Sequence, residues 1–81
     1  MENLNLRHLY YFWVISREGS IARASEVLDL APQTLSGQLA TFEGAVGGRL
    51  FSRERRQLVL TELGHMVRSY ADEIFELTGQ L

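Results

Sequence analysis

The chain has 81 residues, enough for one small domain and too few for two. Hydrophobic residues make up 46% and charged residues 22%, a globular and not a disordered composition. The absence of cysteine excludes disulfides and thiolate metal sites, and a net charge of -2 at pH 7 excludes a uniformly basic surface.

The first predicted helix runs from Leu6 to Arg17, with Leu6, Leu9, Phe12, Trp13 and Ser16 at helical spacing. Asn3 or Asn5 can cap its start, and Gly19 is placed to end it in the left-handed region. Ser20 suits the N-cap of a short second helix whose inward residues are expected to be Ile21, Ala24, Val27 and Leu28. After the tight connection Asp29-Leu30-Ala31, a third helix starts at Pro32, a residue suited to the first helical position because it lacks a donor that would go unpaired there. Its core stripe is Leu35, Leu39, Phe42 and Val46, and Gly47-Gly48 end it.

The period then changes. Leu50-Phe51-Ser52-Arg53 and Leu58-Val59-Leu60 read as two short strands around Glu54-Arg55-Arg56-Gln57. Thr61 caps a last helix in which Leu63, Val67, Tyr70, Ile74, Leu77 and Leu81 recur at steps of four and three, the seam of a coiled coil. A helix of about twenty residues spans roughly 30 Å, more than a three-helix core covers, so part of this seam is expected to pair with a second copy of the chain. Met66 and Phe75 lie off the seam and are expected to pack on the first helix. No stop signal precedes residue 81, so the helix is expected to continue in a longer protein.

The charge is unevenly spread. Residues 1–48 hold three Arg against five acids, residues 49–60 hold Arg49, Arg53, Arg55 and Arg56 against Glu54, and residues 61–81 hold Arg68 against Glu62, Asp72, Glu73 and Glu76. One short basic segment therefore sits in an acidic frame, and all eight cations are arginines, which favour planar, bidentate contacts. Helix, tight turn, helix and then a basic hairpin is the layout of a winged helix-turn-helix, in which the second helix of the pair enters the major groove and the hairpin reaches the adjacent backbone or minor groove. The fold class expected is mostly α: three helices plus a β-hairpin wing over residues 1–60, then a dimerisation helix over 61–81. Gln33 or Gln38 can read adenine through a bidentate amide pair, and the Thr34 methyl can pack on a thymine methyl.

These residues, among them Leu6, Leu9, Phe12, Gly19-Ser20, Ala24, Leu28, Leu35-Ser36, Gln38, Glu43, Gly47, Arg49-Leu50-Phe51, Arg53 and Leu60-Thr61-Glu62 with Gly64, form a joint pattern that resembles the N-terminal domain of LysR-type transcriptional regulators. Within that family, the strings LYYFW and PQTLSGQ point to a narrower resemblance to one activator. The resemblance implies a double-stranded DNA partner with an interrupted inverted repeat, a homodimer through the last helix, and an effector-binding domain that these 81 residues do not include. It also implies that Ser36 faces DNA, that Arg56 enters the minor groove, and that Arg49 and Arg53 face phosphates. Gly37 and Ala40 stand where many members carry cations, Ala31 where they carry a capping Ser or Thr, and Arg55 and Gln57 where they carry turn glycines. The DNA-facing set expected is Ser20, Pro32, Gln33, Thr34, Ser36, Gly37, Gln38, Arg49, Arg53, Arg55 and Arg56.

Blander alternatives remain for several features. The small residues Gly37, Ala40 and Gly44 also suit close packing of another helix, and the same fold can serve as a protein-interaction module without DNA affinity. The aromatic run Tyr10 to Trp13 reads as core, not as a base-stacking platform. His8 and His65 are far apart and read as ordinary surface or junction residues, so no metal or cofactor is expected. No phosphate loop, paired-carboxylate cleft or nucleophile–base pair appears, which argues against an enzyme. No apolar run approaches the roughly 18 residues of a membrane span and the N-terminus lacks a signal pattern, so a cytoplasmic location is expected.

Overall fold

A computed structural model of the chain describes residues 5–77. In chain order these form α1 (Leu6–Glu18), α2 (Ile21–Leu28), α3 (Pro32–Val46), β1 (Phe51–Glu54), β2 (Gln57–Leu60) and α4 (Glu62–Leu77). Asn3 and Leu81 lie outside the described residues, as does the side chain of Leu77.

Local chemistry accounts for each boundary. The Asn5 side-chain oxygen accepts from the N–H groups of Arg7 and His8 at 2.8 and 3.2 Å, capping α1, and Gly19 at φ 83° ends it. Ser20 Oγ accepts from the Arg23 N–H at 3.0 Å to cap α2. Asp29 closes that helix at φ 57°, a left-handed conformation that a short polar side chain tolerates. α3 starts with Pro32 behind Ala31, which offers no side-chain cap. Thr61 Oγ1 accepts from the Gly64 N–H at 2.9 Å and donates to the Arg49 carbonyl at 2.7 Å, so one hydroxyl both caps α4 and ties it to the base of the hairpin.

The core is an aromatic and aliphatic cluster built on α1. Phe12 lies 6.0 Å from Phe42 of α3 and 5.4 Å from Phe51 of β1, ring centre to ring centre. Trp13 lies 5.0 Å from Phe75 of α4, and Tyr10 meets the same ring edge-on at 5.2 Å. Leu9, Val14, Ile15, Ala24, Leu35, Leu50, Val67 and Ala71 complete the buried set. Among the described residues, no helix is long and apolar enough to cross a membrane.

Several details depart from the sequence expectation. Val27 is 58% exposed. The buried arc of α2 centres between Ala24 and Ser25, and Val27 falls about 110° from it at 100° per residue. With Tyr10, Trp13 and Phe75 it lines a groove of about 420 Å³ between α1, α2 and α4. Leu39 and Val46 of the α3 stripe are only half-buried against the core. The first strand is shifted by one residue, the second starts one residue earlier, and the turn is tighter than expected: Glu54 pairs with Gln57, so the turn has two residues, and Leu50 is a buried core residue before the first strand.

The largest correction concerns α4. Gly64, Val67, Ala71 and Phe75 face inward, with Leu63 packed beside them, while Met66 and Tyr70 are 55% and 59% exposed. The expected seam is thus divided: Leu63 and Val67 serve the core of this chain, and Tyr70 and Ile74 lie on the exposed side. Phe75 packs on α1 as expected, but Met66 does not. Gly64 and Ala71 explain the rotation, because their small side chains let α4 approach closely along a line that a search for large apolar residues passes over.

A polar network joins α4 to α1. Asp72 accepts from the Trp13 indole N–H at 2.7 Å and from Arg68 Nε at 2.9 Å, and Arg68 also donates to Ser16 Oγ at 3.1 Å. Partial burial pushes the Asp72 carboxyl up, but the hydrogen bonds from Trp13 and Arg68 outweigh it and hold the group below its ordinary value. A lowered carboxylate pKa stabilises the fold above the unfolded-state value, and that contribution is lost as pH falls through the folded value. Acidification from pH 6 to pH 3 is therefore expected to lower the melting temperature more for the native chain than for Asp72→Asn; equal losses would show that this carboxylate carries no linkage. A Cβ at Gly64 would run into the Leu50 carbonyl oxygen. Gly64→Ala should gain about 1 kcal/mol of helix propensity but lose more through the clash, for a net destabilisation of about 2 kcal/mol in urea titration.

Candidate nucleic-acid interface

α3 places Leu35 and Phe42 in the core and leaves Gln33, Thr34, Ser36, Gly37, Ala40, Thr41, Gly44 and Ala45 exposed, with Gln38 half-buried. None of these carries a charge. A Cβ at Gly37 or Gly44 would meet nothing within 4 Å, so among the described residues no other element packs against these two positions. Pro32 is exposed at the helix start, and Ser20 is half-buried at the start of α2. The Ser20 oxygen is engaged as a cap acceptor, which leaves its O–H proton for another partner.

The sole charged side chain of α3, Glu43, points back to the base of the hairpin. Its carboxylate accepts from the Leu50 N–H at 2.8 Å and lies 3.8 Å from Arg49 Nε. That contact fixes how the hairpin leaves the end of α3, a role absent from the sequence expectation. The signal was a single acid in an otherwise uncharged helix. Arg49, expected to face phosphate, is largely exposed but shares its charge with Glu43.

Pairing divides the arginines into two groups. Arg17, Arg23, Arg49 and Arg68 each lie within 4.0 Å of an acid. Among the described residues Arg7, Arg53, Arg55 and Arg56 have no such neighbour, and three of these four are on the hairpin. Arg7, exposed in the first turn of α1, was not among the expected site residues, and nothing in its sequence context marks it. His8 and His65 fall in no group of three potential metal ligands among the described residues.

The hairpin turn is strained. Arg55 and Arg56 have φ of 53° and 69°, the conformation of a two-residue turn whose backbone twist matches the flanking strands. Asn-Gly adopts it readily, whereas two side chains with full Cβ groups each meet a penalty of about 1 kcal/mol. Both residues are exposed, and among the described residues neither guanidinium has an ion pair or side-chain hydrogen bond to offset this.

Residues 6–65 match the model of the bacterial regulatory helix-turn-helix proteins of the lysR family. The chain is 44% identical over 81 residues to the transcriptional activator protein NhaR of Escherichia coli (strain K12), covering all of this chain and 27% of that protein. It is 41% identical over 77 residues to the nitrogen assimilation regulatory protein nac of Klebsiella aerogenes, covering 95% of this chain and 25% of that one. It thus spans about a quarter of the length of these regulators. Among solved structures it is similar to the BenM DNA-binding domain in complex with catB site 1 DNA, with a TM-score of 0.81, 34% identity, and coverage of 86% of this chain and 79% of that one. The LysR family regulator CbnR matches with a TM-score of 0.82 and 31% identity over 93% of this chain and 26% of that one.

Replacing the turn arginines together, Arg55→Asn with Arg56→Gly, is expected to stabilise the fold by about 1–2 kcal/mol. For a chain of this size that raises the melting temperature by several degrees. An unchanged or lower melting temperature would show that the turn stores no strain.

Proposed function

The chain belongs to the lysR family of bacterial regulatory helix-turn-helix proteins, and from that premise we propose that it is the DNA-binding part of a transcriptional regulator and not an enzyme. α3 lies in the major groove with Gln33, Thr34, Ser36, Gly37 and Gln38 toward the base edges, and Ser20 and Pro32 approach the backbone at the helix starts. Arg53 contacts phosphate, Arg49 adds a partly neutralised contact, and Arg55 and Arg56 reach the neighbouring phosphates and minor groove.

The observation that carries this reading is the segregation of charge: of the four arginines without an acidic neighbour among the described residues, three sit on a strained, exposed hairpin next to a helix-turn-helix whose α3 face is exposed and uncharged. Strain without an internal compensation fits a turn whose side chains are used against something outside the chain. An uncharged α3 face leaves sequence discrimination to amide, hydroxyl and methyl contacts, while the hairpin provides the ionic part of the affinity. The likeness to a domain solved on duplex DNA supports the same assignment. Dimerisation belongs to the proposal too: the exposed side of α4, with Met66 and Tyr70 and with Ile74 39% exposed, is the surface for a second copy. A two-fold protein reads a two-fold site, here an interrupted inverted repeat.

Selection from a random duplex pool at two salt concentrations should enrich an inverted repeat and show binding that weakens steeply with salt. Arg56→Ala is expected to weaken binding to the selected duplex by about 1–3 kcal/mol. Arg53→Ala should weaken binding to all duplexes alike and reduce the salt slope by about one, as expected when a single phosphate is no longer neutralised. A folded chain that binds no duplex at low salt would overturn the reading in favour of a protein partner.

A further inference from the structure

α4 carries three parallel stripes. Val67, Ala71 and Phe75 form the buried one. One residue back, Met66, Tyr70 and Ile74 form the exposed apolar one. One residue forward, Arg68, Asp72 and Glu76 form a polar one, and all three of its members bond to α1: Arg68 donates to Ser16 Oγ at 3.1 Å, Asp72 accepts from Trp13 Nε1 at 2.7 Å, and Glu76 lies 3.7 Å from Arg17. Two further contacts stiffen the α1 side of the clamp. Ser16 Oγ donates to the Trp13 carbonyl at 2.7 Å, and the Arg17 guanidinium stacks 4.6 Å above the Trp13 ring.

The buried stripe resists separation of α4 from α1, but Phe75 alone gives it shape against rolling, because apolar contact is otherwise non-directional and Ala71 presents almost no relief. Hydrogen bonds are directional, and the two along this flank, Arg68 to Ser16 and Trp13 to Asp72, stop the roll, with the Arg17–Glu76 ion pair beside them. The roll angle decides where the apolar stripe on the opposite flank points. We propose that the Arg68–Asp72–Glu76 stripe sets the separation of the two half-sites that a dimer of this chain reads, with Asp72 and Trp13 as its positioning residues. The inference rests on the proposed DNA-binding dimer formed through α4. In such a dimer the two α3 helices are related through α4 and its mate, so a fixed roll gives one half-site separation. Each added base pair moves the second half-site by about 3.4 Å and turns it around the duplex. Neither Trp13 nor Asp72 is on α3 or the hairpin, so contacts within one half-site are unaffected.

The test uses the 81-residue chain, a duplex carrying one selected half-site, and inverted repeats of that half-site with spacers lengthened or shortened by one and two base pairs. Fluorescence anisotropy gives the affinity for each. The native chain should favour one spacer by up to about 100-fold, the gain from simultaneous engagement, and lose it on the others. Trp13→Phe, which removes the indole donor and keeps an aromatic ring, should flatten that preference to less than about tenfold with single half-site affinity unchanged. Asp72→Ala should do the same, while Asp72→Asn, which keeps an oxygen for the indole N–H, should retain the preference. Asp72 is partly exposed, so its variants answer the question even where Trp13→Phe fails to fold. A native chain without spacer preference, or Trp13→Phe and Asp72→Ala variants with the native preference, would overturn this inference and leave DNA binding intact. A native chain that binds no duplex at all would overturn both.

Discussion

The structure hangs on two adjacent side chains of α1. Consecutive helical residues point about 100° apart, so Phe12 and Trp13 face different neighbours. Phe12 meets Phe42 of α3 and Phe51 of β1, which places α3 and the hairpin on one side of the domain core. Trp13 meets Phe75 of α4 and donates to Asp72, which places the long helix on another. With thirteen hydrophobic side chains buried among the described residues, a domain of this size has little redundancy, and these two rings account for much of its cohesion.

The elements proposed to face DNA, α3 and the hairpin, and the element proposed to face a second copy, α4, are therefore attached to the same helix, but by different means. The hairpin is set by polar contacts at its base: the Glu43 carboxylate on the Leu50 N–H, and the Thr61 hydroxyl on the Arg49 carbonyl. Its tip has no such support and carries two arginines in a left-handed backbone. A firm base with a strained, charged tip suits a projection that must hold its direction while its end engages a polyanion. α3 contributes a contrasting surface, uncharged and open beside Gly37 and Gly44.

Much of this was legible in the sequence. Caps at Asn5 and Ser20, the proline at Pro32, and the glycines at Gly19 and Gly47 act within a few residues, so element boundaries followed from local chemistry alone. The cluster of arginines between two short apolar runs marked the hairpin. The separation of Arg53, Arg55 and Arg56 from Arg49 was hidden, because it depends on Glu43 reaching an arginine six positions further along the chain. The two-residue turn was hidden as well. It lacks the Asn or Gly that signals such turns, and strand pairing imposed the conformation on residues that do not favour it.

Periodicity established that residues 62–77 form an amphipathic helix after the Thr61 cap, since a 3.6-residue repeat leaves few other ways to segregate apolar side chains. It left open which apolar residues are covered by which neighbour. Leu63, Val67, Tyr70 and Ile74 look alike in a one-dimensional pattern, yet two of them pack into this chain and two stand exposed. The difference comes from Gly64 and Ala71, whose value lies in the space they leave for α1 and for the Leu50 carbonyl. Close approach is a property of two surfaces together. A pattern along one strand of sequence records the size of a side chain, and only the folded arrangement of α1, β1 and α4 makes a small one the better fit.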